Sequence, residues 1–108
     1  MTRAELNETI KKAAAAHGFE TSKENGVFGL IDIKSEEMNF TYGTSTDTEG
    51  TDWSKRVVET AITVTASVRK MGGRPTPEEL LKTADEIRRG AELAAELQNM
   101  HLTFTERF

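Results

Sequence analysis

The chain has 108 residues, 14 basic against 18 acidic side chains for a net charge of −4, and no cysteine. A length of this order suits one domain, residues 1–108, with a core that needs no disulfide or metal, and the missing thiols exclude a disulfide framework, thiol catalysis, zinc knuckles and iron–sulfur ligation. The missing cysteines make the cytoplasm the expected compartment, no apolar run approaches the roughly 20 residues of a membrane span, and the basic residues are scattered as pairs, which disfavours non-specific nucleic-acid binding.

Thr2 and Glu5 form a capping box that opens a short helix, with Leu6, Ile10, Ala13 and Ala14 on its buried side and Gly18 ending it. His17 in the last turn suits the negative end of the helix dipole. Two strand-like runs follow, residues 19–23 and 27–33, and the Asn25-Gly26 between them signals a hairpin. A third strand is expected over residues 38–43, with Met38 opposite Ile33. Val27, Ile31, Ile33, Met38, Phe40 and Tyr42 then share one face, which Phe19 joins if Gly26 is left-handed in a three-residue loop. Phe28 and Leu30 fall on the other face, where they are either covered by a helix or left as a contact patch for a partner.

Residues 43–52 are polar and turn-forming. Aligned as a calcium loop they put Ser45 at the first position and Arg56 at the last, where carboxylates are required, so no metal site is expected. Asp47 and Glu49 are candidates for an acidic surface facing a basic partner, while Asp52 is placed as the cap of the next element. That element, residues 53–71, carries two patterns at once. Ile62, Val64, Ala66 and Val68 alternate with Thr63, Thr65 and Ser67 as in a strand, yet Trp53, Val57, Ala61, Val64, Val68 and Met71 fit a helical stripe. The helical reading is adopted, with this helix antiparallel to the next through the turn at residues 72–75.

The last helix starts firmly at Thr76, Pro77 and Glu79 and runs to about residue 102. Leu80, Ala84, Ile87, Ala91, Ala94 and Leu97 form its apolar stripe, opposite charges four apart line its other side, and Gly90 in mid-helix points to a close neighbour. Leu93, Leu97, Met100 and Phe104 continue a second stripe that one partner helix cannot cover, which predicts a homodimer through these residues.

The fold class expected is therefore a small α+β domain of order α-β-β-β-α-α, a three-stranded antiparallel sheet packed with a C-terminal helical hairpin. No phosphate loop, nucleophile elbow, paired histidines or zinc spacing is present, so neither an enzyme nor a cofactor is expected. The leading functional expectation is an interaction protein, a regulator, inhibitor or assembly adaptor that binds another protein. The alternative is an oligomer that holds a phosphate-bearing small molecule or nucleotide, with Lys55, Arg56, Gly73 and Arg74 as the anion-binding residues near helix starts. A third reading rests on the order helix, three strands, helix over residues 2–71 with Lys55 and Arg56 opening the second helix, which resembles the layout of double-stranded-RNA-binding domains. The resemblance implies that these two residues meet an RNA backbone, although Asp47, Glu49, Asp52 and Glu59 surround them with charge of the wrong sign.

Overall fold

The computed structural model describes residues 1–46, 52–69 and 72–107. Helix α1 spans Arg3–Ala16, strands β1 Glu20–Asn25, β2 Ile31–Lys34, β3 Met38–Thr46 and β4 Val57–Val68 follow, then helix α2 Pro77–Asn99 and strand β5 Thr103–Arg107. The order is α-β-β-β-β-α-β, an α+β domain with two helices. Among the described residues no helix is long and apolar enough to cross a membrane.

Both helix starts form as their sequences dictate, Thr2 and Thr76 each accepting a backbone N–H three residues on, at 3.1 and 3.2 Å. Gly18 has a φ of +80° and closes α1 with two bonds: Phe19 N–H donates to Ala14 O at 2.9 Å and Gly18 N–H to Ala15 O at 3.0 Å. This paired pattern is the Schellman end, and it turns the buried Phe19 toward the core.

The three-stranded antiparallel sheet is β3-β4-β5, with β1 and β2 forming a separate antiparallel pair. Three expectations are corrected here. First, the expected helix over 53–71 is not formed by its described residues, 53–69: 57–68 are the central strand, paired with β3 from Met38↔Val68 to Thr46↔Thr60 and with β5 from Val57↔Arg107 to Ala61↔Thr103. The period-two alternation decided the outcome because both edges of this strand find partners, whereas a helix would have left β3 and the tail unpaired. Second, Met38 faces Val68 and not Ile33, and the tail is strand β5, with Phe104 and the preceding Leu102 buried, instead of a fraying helix. Third, Gly26 has a φ of −94°, and the reversal between β1 and β2 is made by a single helical turn over Val27–Gly29, in which Phe28 and Gly29 take positive φ values of 59° and 70°. Asp52 caps no helix. Its carboxylate accepts from Ser54 and Lys55 in a tight turn closed by mutual Asp52–Val57 backbone bonds, and the Ser54 hydroxyl holds that carboxyl below its usual range.

On the core side of the sheet, Thr60, Ile62 and Val64 are buried. Helix α2 lies across this face. A β-carbon at Gly90 would stand 3.1 Å from the Met38 side chain and 3.3 Å from Phe40, so the mid-helix glycine marks an approach to the sheet and not to a second helix. Leu93 and Leu97 fill the interface, and Gln98 Nε2 donates to Val64 O at 2.7 Å. Helix α1 packs beside α2, where Arg89 Nη1 donates to His17 O at 2.9 Å, His17 Nε2 meets Glu96 at 2.7 Å and the Arg89 guanidinium lies 5.0 Å above the Phe19 ring. At the other end of α1, Arg3 pairs with Glu106 on β5.

Candidate functional site

With β4 in the sheet, the helix that the sequence pairs with α2 does not exist, and the consequence shows on the surface of α2. Its buried face is Thr83, Gly90, Leu93, Ala94 and Leu97. Rotated from that face lies the strip Leu80, Ala84, Ile87 and Ala91, spaced four, three and four apart, the repeat of one helical side. Leu80 is 47 % exposed, Leu81 beside Ala84 is 73 % exposed, Ala84 and Ala91 are open to solvent and only Ile87 is half-covered. The first six helical residues, 77–82, are exposed without exception. On the sheet, Val68 at the end of β4 is 51 % exposed, directly opposite Met38, the residue beneath Gly90.

The remaining side of α2 is charged and internally satisfied. Asp85 accepts from Arg88 Nη2 and from Arg89 Nε, both at 2.9 Å, and Arg88 Nη1 reaches Glu92 at 3.0 Å. The Arg89 bond first, and the Arg88 bond after it, hold the Asp85 carboxyl below its ordinary value. Alanines on one side and a charge lattice on the other give the helix a flank that another chain can approach closely.

The residues singled out from the sequence do not come together. Phe28 is 46 % exposed at the β1–β2 turn, while Leu30 is fully buried in the core and offers no surface. Asp47 and Glu49 lie outside the described residues. Leu93, Leu97 and Phe104, expected to leave apolar surface for a second copy, are buried by this chain's own sheet, leaving Met100 partly exposed. The motive for a dimer through those four residues is removed. Lys55 and Arg56 sit in the turn before β4, with Lys55 3.9 Å from Asp52, whereas Gly73 and Arg74 follow the far end of that twelve-residue strand, about 40 Å away at the usual rise. They cannot grip one small anion. Since Lys55 and Arg56 open no helix, the layout that suggested RNA binding is also not the one observed.

A cationic cleft between α1 and β1 is the feature that the sequence left hidden. Lys11, Lys23 and Lys34 are scattered along the chain, and only the Glu20↔Lys34 register of β1 with β2, under α1, brings them to one place. Comparison of the chain with protein-family models, with curated proteins and with solved structures finds no match.

Proposed function

We propose that this chain is a non-enzymatic interaction protein that binds another macromolecule, as a regulator, inhibitor or assembly adaptor, through the apolar flank of α2. The observation that carries this reading is the strip Leu80, Ala84, Ile87 and Ala91 with Leu81 and Val68, uncovered beside a core that already buries Leu93 and Leu97. Burying apolar area is worth about 25 cal/mol per Å², so two leucines and a valine left in water in a chain of this size favour a partner. Small side chains at Ala84 and Ala91 admit a helix or strand at short distance, and a second copy related by a two-fold axis satisfies both surfaces at once, so the isolated chain is proposed to be a homodimer.

A photo-crosslinking amino acid placed at Leu81 in the native host tests the reading. One discrete adduct is expected, absent when Ala84→Glu is added and absent when the crosslinker stands at Lys12 on α1. The reading fails if position 81 yields no more adduct than position 12.

A further inference from the structure

Apart from the apolar flank, the molecule separates its charge. Arg3 is paired with Glu106, Lys55 with Asp52, and Arg88 and Arg89 with Asp85. Lys11, Lys23 and Lys34 are different: none of their ammonium groups makes an ion pair or hydrogen bond among the described residues, and all three side chains line one open cleft of about 730 Å³ between α1 and the β1–β2 pair. They arrive from three separate elements. Among the described residues Glu20 is the one acidic side chain on the walls of this cleft, Phe19 and Ala15 form its apolar side, and Thr21 adds a hydroxyl. The cleft continues along α1 into a second of about 640 Å³ that shares Lys11 and Lys23 and is lined by Glu8 and by the already paired Arg3, while on its other side Lys34 borders a third cleft with Glu20, Glu36 and Glu86, none of which forms an ion pair with it.

We propose that this cleft binds a ligand carrying two or more phosphate groups. Three like charges gathered on a chain of net charge −4 repel one another, and a ligand of several negative charges relieves that repulsion where a single carboxylate would not. Lysine ammonium groups bind phosphate as movable point charges, needing no fixed fork, which suits their positions on the rim of an open cleft. The apolar wall at Phe19 and Ala15 offers contact to whatever bears the phosphates. This site is separate from the α2 flank and from the residues near helix starts that the sequence had suggested.

Sodium tripolyphosphate and a nucleoside triphosphate, titrated separately into the labelled protein and followed through its amide resonances, give the test. Both are expected to move the amides of Thr21, Ser22 and Lys23, with affinity falling as salt is raised. Equal affinity assigns recognition to the phosphate chain alone, and tighter binding of the nucleotide adds the Phe19 wall; either result supports the site. Lys34→Gln and Lys23→Gln should each weaken binding by about fivefold, the scale of one exposed charge pair, while Lys34→Arg and Lys12→Gln leave it unchanged. No response to either ligand at millimolar concentration, or binding that survives the Lys23→Gln/Lys34→Gln double variant, overturns the proposal.

Discussion

Tyr42 shows how much a single side chain can report. Its hydroxyl donates to Ile31 O and so ties β3 to the β1–β2 pair, and burial first, with the nearby Asp32 carboxylate second, raises its pKa above the ordinary 10.0. The unfolded chain releases this proton near pH 10 while the folded chain keeps it, so the contribution to stability is complete below pH 10 and declines as pH rises above it. Tyr42 is the sole tyrosine, so absorbance at the phenolate band follows it alone. The folded protein should show no midpoint near pH 10, and one found there, with the fold intact, would refute the half-buried, hydrogen-bonded placement. Individual residues were also where local signals proved most legible. Thr2, Gly18 and Thr76 act at short range through caps that depend on their immediate neighbours alone, and all three sit as the sequence implies. Gly26 did not, because the same Asn-Gly pair fits several reversals and the choice fell to the longer turn that buries Leu30.

Among the elements, α2 was readable and its partner was not. Gly90 correctly announced a close approach, but the surface approaching is the Met38 and Phe40 side of the sheet. Replacing Gly90 by Leu should destabilise the protein by about 1–3 kcal/mol through overpacking, despite leucine's better helix propensity. An unchanged denaturation midpoint would show that α2 does not press on β3. The segment 57–68 was ambiguous for a physical reason. Val64 and Val68 satisfy both a period of two and one of 3.6, and what decided between them was the tail, whose Thr103–Arg107 strand pairs with it across more than forty residues of sequence. No local pattern carries that information. A helix at 57–68 would cover the Leu80 strip and leave the Leu93 strip open, the reverse of what the sheet imposes.

At the scale of the whole molecule the chain is elongated, 60 × 22 × 21 Å, with a Cα radius of gyration of 16.2 Å against about 13 Å for a compact domain of this length. A long body with one continuous core along α1, the sheet and the C-terminal half of α2 leaves the first turns of α2 beyond cover, and the apolar flank is the direct result. The charged cleft was illegible for the same topological reason, since Lys11, Lys23 and Lys34 meet only after β1 and β2 have paired beneath α1. The central claim, that the Leu80 to Ala91 flank is an interaction surface which a second copy covers in the isolated chain, is tested most directly by the mass in solution. Light scattering at tens of micromolar should return a dimer for the native chain and a monomer of unchanged circular dichroism for Ala84→Glu; a monomeric native chain, or a dimer that Ala84→Glu leaves intact, would contradict it.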